Sequence, residues 1–141
     1  MTDDTKLKDF IGAHSRGVLA TIRRDGRPQL STITHLYDPA TNTITASITE
    51  TRAKTKNMRR DPRVTYHVSS EDGWSYVVAD GTAALSEPAR EPNDATVEAL
   101  VDYYRRAAGE HPNWDEYREA MVTDQRVLLT IDVSRVHGLV R

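Results

Sequence analysis

The sequence predicts a mainly β chain with helices (α+β), six short strands forming a barrel or sandwich in a single domain over residues 1–141. Three observations carry this. Apolar residues alternate with period two in short segments separated by turn dipeptides such as Asp25-Gly26 and Asp38-Pro39. The 3.6-residue stripe of a long amphipathic helix occurs only after Asp94. With 141 residues the chain can bury one core but not two, and no repeat or low-complexity linker divides it.

In chain order, Val18, Ala20 and Ile22 alternate with Leu19, Thr21 and Arg23 before Asp25-Gly26, where glycine admits the positive φ of a tight turn; this is a strand entering a hairpin. Residues 29–37 follow Pro28, are rich in β-branched and aromatic side chains, and end at Asp38-Pro39. Residues 43–48 make a third strand. Further strands are expected at 64–69, 75–85 and 126–136, where Val127, Leu129, Ile131 and Val133 share one face. Val97, Leu100, Val101, Tyr104 and Ala108 form a helical stripe, with Asp94 as N-cap and Gly109 as stop. Residues 114–121 form a second, shorter helix, and Pro88 and Pro92 mark the connection that leads into the pair.

Composition removes several function classes. Charged residues make up 28% but the net charge is −2, which gives no global attraction to nucleic acid or to acidic membranes. There is no cysteine, hence no disulfide, thiolate metal ligand, thiol-linked flavin or cysteine nucleophile. The polar N-terminus lacks a signal-like apolar run, and no stretch approaches the roughly 20 apolar residues of a membrane span, so a cytoplasmic protein is expected. The five histidines are dispersed without metal-ligand spacing, so no metal is expected. No Gly-x-Gly-x-x-Gly, P-loop or nucleophile-elbow pattern is present. His35 has two readings, a proton donor beside a cleft or a hydrogen-bonded barrel histidine. Tyr103, Tyr104, Trp114 and Tyr117 read as packing residues.

The densest chemistry lies in residues 50–63. Six cations (Arg52, Lys54, Lys56, Arg59, Arg60, Arg63) stand against two anions (Glu50, Asp61), a local +4 in a chain of −2, which leaves −6 for the remainder. A helix of little more than two turns starts at Glu50 or Thr51 and ends at Asp61-Pro62, because the residue before proline leaves helical conformation. Its first turn carries Arg52 and Lys54, the wrong sign for the positive end of a helix dipole, at a cost of a few tenths to about 1 kcal/mol. A bound anion reverses that cost. Two readings follow: a solvated basic face, or an anion site. Nucleic-acid binding would need a basic excess elsewhere in the chain, where the net charge is instead −6.

Set in order, Gly17-Val-Leu-Ala-Thr-Ile, Asp25-Gly-Arg-Pro-Gln-Leu-Ser31, Arg52-Ala-Lys-Thr-Lys-Asn57 with Arg60-Asp-Pro-Arg63, Asp72-Gly-Trp-Ser-Tyr76, Gly81-Thr-Ala83 and Tyr117-Arg-Glu-Ala-Met-Val-Thr-Asp124 resemble the pyridoxamine-phosphate-oxidase-like split barrels, nearest the actinobacterial F420-dependent group. The resemblance runs from about Gly17 to Gly138. It implies a six-stranded antiparallel split β-barrel and a homodimer with two coenzyme sites in clefts between subunits. Carried over residue by residue, Arg52 and Lys54, with Ala53 between them, match positions that grip the coenzyme phosphate. Thr55 and Lys56 stand nearby for further oxygens or a polyglutamate tail. Gln29, Ser31 and Thr32 match positions beside the ring and its side chain, and Ser47 and Ile48 the site mouth. Trp74 and Arg126 approach from the partner subunit or the far wall, and Trp74 is read either as an interface or as a coenzyme-facing residue.

The activity this implies is an F420-dependent oxidoreductase, passing a hydride from the reduced deazaflavin to a small electron-poor acceptor. No side chain is singled out as catalytic. The alternatives are an F420 carrier without efficient turnover, and an FMN-binding protein of the pyridoxamine phosphate oxidase type. Against the last, only His137-Gly-Leu-Val-Arg141 follows the final expected strand, with no arginine-rich substrate motif.

Overall fold

The computed structural model describes residues 4–141, in seven strands and four helices. Helix α1 (Asp4–Ala13) precedes β1 (Arg16–Ile22), β2 (Pro28–Thr34), β3 (Leu36–Asp38) and β4 (Thr43–Thr49). Then come α2 (Ala53–Arg60), β5 (Arg63–Ser69), β6 (Tyr76–Leu85), α3 (Ala95–Ala108), α4 (Trp114–Thr123) and β7 (Arg126–Leu139). All pairings are antiparallel, in the order β2-β1-β5-β6-β7-β4-β3. The sheet curls until β2 comes back against β4, a half-closed barrel that agrees with the split-barrel expectation.

Six expected strands become seven because the run 29–37 breaks at His35, which leaves the ladder and turns its ring into the core. Helix α1 was not expected. Its sequence is mostly polar and only Leu7 and Ile11, one turn apart, are buried, too short a stripe to read without the sheet it covers. The last strand reaches Leu139, so His137 and Gly138 belong to it rather than following it. Helix α3 behaves as expected: the Asp94 carboxylate accepts from the Val97 N–H at 2.8 Å, and the Gly109 N–H closes on the Arg105 carbonyl.

The barrel interior is lined by alternate residues of the strands, among them Leu19, Ile44, Ala46, Ile48, Tyr66, Val77, Val127, Leu129 and Ile131. A second apolar cluster, Val97, Leu100, Val101, Tyr117 and Met121, lies under α3 and α4 and meets Leu128 on the outer face of β7. Gly17 is dictated by packing, since a Cβ there would stand 2.6 Å from the Tyr66 ring and 2.7 Å from the His67 carbonyl. Between β6 and β7 the register shifts at Asp80/Gly81, leaving Ser134 as the extra residue of a bulge. Among the described residues no helix is long and apolar enough to cross a membrane.

Candidate functional site

The site is built around α2. Four polar attachments hold the helix. The buried Thr55 hydroxyl donates to the Thr49 carbonyl at 2.7 Å, and buried Asn57 donates to Thr21 at 3.1 Å. Arg60 donates to the Ile22 carbonyl at 2.7 Å and to Asn57 at 3.2 Å. Arg59 forms a two-pronged pair with Glu50, at 2.8 and 2.7 Å, and reaches the Ser86 carbonyl at 2.9 Å. Arg63 is held by Asp61 at 2.7 Å, which pulls that carboxyl down to about 2.

This divides the basic run. Its C-terminal cations, Arg59, Arg60 and Arg63, are spent on the protein's own acceptors. Its N-terminal cations, Arg52, Lys54 and Lys56, have no ion pair among the described residues. Arg52 is the N-cap in extended conformation and its side chain makes no capping bond, nor does an acidic residue occupy the first turn. Thr55 and Lys56 both send their backbone N–H to the Arg52 carbonyl, at 3.1 and 3.2 Å. The start of α2 therefore presents its dipole and free cations with no acidic residue in its first turn and no ion pair among the described residues.

Arg126, at the opposite end of the sequence, joins this cluster. Burial, then the charges of Arg52 and Arg126, pull the Lys54 ammonium below the ordinary lysine range. Arg126 donates to the Ser47 carbonyl at 3.3 Å and lies 3.7 Å from the Asp124 carboxylate, yet its Nε is buried without a hydrogen bond. A second orphan, the Ser31 hydroxyl, sits on β2. Each buried unpaired polar group costs about 1–3 kcal/mol. Arg52 and Lys54, unpaired and reinforced by the charge of Arg126, are what a phosphate or carboxylate would satisfy, so the residues fit an anionic coenzyme end.

Gln29 of β2 faces α2 across an open cleft of about 700 Å³, lined also by Ala53, Lys56, Asn57 and the arginines Arg23, Arg24 and Arg60. Arg23 and Arg24 were not read as site residues from the sequence, although the doubled arginine before Asp25-Gly26 is visible there. They matter because the hairpin folds back beside α2. Ser31 shares the Gln29 face of β2. Thr32 points the other way, into a separate groove of about 690 Å³ with His14, Arg16 and His67.

Other expected residues are placed differently from the sequence reading. Ile48 is 2% exposed and its side chain belongs to the barrel core, so only its backbone borders the site. Thr55 is fully buried with its proton given to Thr49, so it offers no donor to a ligand. Trp74 is 67% exposed in the turn after β5, beside Arg141. Tyr76 pairs with Leu139, so this turn lies at the far end of the 14-residue β7 from Arg126. One chain does not bring Trp74 to Lys54.

His35 is the barrel histidine of its two readings. It is 1% exposed, donates from Nε2 to the Ile11 carbonyl at 2.9 Å, and accepts at Nδ1 from the Tyr66 hydroxyl at 2.5 Å. Burial holds the imidazole below its usual range and therefore neutral. Tyr37, beyond the strand break, donates instead to Asn42 at 2.8 Å.

The family described as pyridoxamine 5'-phosphate oxidase matches residues 3–139. Among solved structures, the fold is similar to that of a conserved hypothetical protein from Mycobacterium tuberculosis, with TM-score 0.72 and 23% identity over 98% of this chain and 84% of the other. It is also similar to an F420 reductase, at 0.65 and 21% over 92% and 94%. A FAD-binding protein from Mesorhizobium loti matches at 0.68 and 20% over 97% and 92%. At these identities the likeness to each structure is one of fold.

Proposed function

Because the chain belongs to the pyridoxamine 5'-phosphate oxidase family, we propose that it is an oxidoreductase whose α2 start binds the phosphate of a flavin-type coenzyme, F420 before FMN. The observation that carries this is the convergence of Arg52, Lys54 and Arg126, with no anion of the chain's own at the start of α2. Reduced F420, when bound, supplies a hydride to an electron-poor small molecule. The chain's own part is to bind and orient. Arg52, Lys54 and the free N–H groups of the α2 start would hold the phosphate, Arg126 adds positive charge beside Lys54, and Gln29, Ser31 and Ser47 would present polar groups along the approach.

The choice of F420 is supported by charge beyond what one phosphate needs. Lys56 and Arg24 line the cleft beside α2, where Arg23 pairs with Asp25 at 3.3 Å, and suit further carboxylates, as on a polyglutamate tail. The proposal includes a homodimer, since Trp74 reaches such a site only from a second copy. Titration of the protein with F420 and with FMN in competition tests the coenzyme, with F420 expected to bind more tightly. Tighter binding of FMN overturns the choice. Oxidation of bound reduced F420 on adding enones or quinones is the expected sign of an enzyme, whereas tight binding without oxidation identifies a carrier.

A further inference from the structure

The buried hydrogen-bond chain under α1 has no part in the proposed site. His35 sits at the break between β2 and β3, takes the Ser15 carbonyl on its backbone N–H at 2.9 Å, and links α1 to β5 through its ring. Both ring nitrogens are engaged, Nε2 as donor to Ile11 and Nδ1 as acceptor from Tyr66. A proton added at Nδ1 would meet the Tyr66 O–H head-on. The hydroxyl would have to turn to the Ile33 carbonyl, 3.5 Å away, which is a poor acceptor distance.

Backbone hydrogen bonds at Ile11 and His14 favour a charge on the ring, but burial outweighs them. Tyr66 comes from β5, and His14, from the connection between α1 and β1, disfavours a second cation nearby. Tyr37 on β3, with Asp9 and Asp38 near it, directs its hydroxyl to Asn42. An imidazolium at 1% exposure is therefore unsolvated and unpaired. Of the elements around it, α1 is the one tied down by few side chains, the buried Leu7 and Ile11 with partly buried Phe10 beside them.

We propose that His35 is a pH-sensitive latch, neutral when α1 is docked and released with α1 when it takes up a proton. The sign follows from linkage. The undocked imidazole binds a proton at its ordinary affinity, the docked one only at lower pH, so acid favours undocking. The last residues of α1 lead into Ala13 and His14, which wall the groove holding Thr32, so release would alter that groove.

Hydrogen exchange of residues 4–13 tests this between about pH 7.5 and about pH 5, corrected for intrinsic rates. Exchange in α1 is expected to rise by up to about tenfold per pH unit, the limit for one proton, while β4 to β7 stay protected. His35→Gln keeps a donor for Ile11 but cannot titrate, and should abolish the step; His14→Gln should leave it. A wild-type helix equally protected at both pH values, a step that survives His35→Gln, or one lost in His14→Gln overturns the latch. Should His35→Gln fail to fold, the wild-type step must share its midpoint with the His35 ring titration followed by NMR, and a mismatch overturns the proposal.

Discussion

Lys54 carries the clearest conflict between folding and binding. It is half-buried beside Arg52 and Arg126, and among the described residues no carboxylate pairs with it. Its folded-state affinity for a proton is lowered, so the unfolded chain holds the proton more tightly. The resulting destabilisation is present in full at neutral pH and is relieved only as pH rises toward the ordinary lysine value. Lys54→Met, which keeps the stem and removes the charge, should therefore raise the melting temperature of the free protein. The same change should weaken coenzyme binding by roughly 1.5–3 kcal/mol, the range for hydrogen bonds to charged groups. Calorimetry of both properties checks it; a variant that melts lower and binds unchanged means the phosphate is elsewhere. In the wild type, affinity should fall as pH rises through the lowered Lys54 value.

At the scale of the element, α2 is a short helix whose position depends on polar anchors rather than on propensity. Those anchors differ in worth. Asn57 and Thr21 are buried, and Asn57 also receives Arg60, so Asn57→Ala strands two partners and should cost about 1–3 kcal/mol in urea unfolding. The Glu50–Arg59 pair is about a third exposed, and Glu50→Gln should cost under about 1 kcal/mol. Equal costs would show that the pair, and not the buried amide, sets the helix. The stripe Ala53, Lys56, Asn57 and Arg60 is legible in the sequence as one helical face. What that face meets is not, because Arg23 and Arg24 reach it through the fold of the β1–β2 hairpin.

For the whole molecule, the long β7 separates the two ends of the proposed site. Arg126 starts it beside Lys54, and Leu139 ends it beside the Trp74 turn. If two copies complete each site, Lys54→Ala and Trp74→Ala should each lose binding alone. Mixing and re-pairing them should restore it, because a mixed dimer has one site carrying both changes and one carrying neither. Random pairing would recover about a quarter of all sites. No recovery on mixing, measured by coenzyme titration, would place both residues in a single subunit's site or remove Trp74 from it.

The sequence by itself determined six strand segments without the break at His35, the capped helix after Asp94 and a cationic helix start at Arg52 and Lys54, since alternation, turn chemistry and caps are set by neighbours along the chain. Tertiary structure alone decided which charges stay free. Arg59 and Arg63 look like Arg52 in sequence, yet they are consumed by Glu50 and Asp61, and Arg126 finds Ser47 across 79 positions. It also decided that Ile48 and Thr55 turn inward, that Ser31 and Thr32 face opposite ways with Thr32 on the groove beside His14, and that the segment at α1 is a helix. The reason is physical: periodicity is a local property, whereas the partner of a charge or a buried hydroxyl is whatever the closed sheet brings within about 3 Å of it.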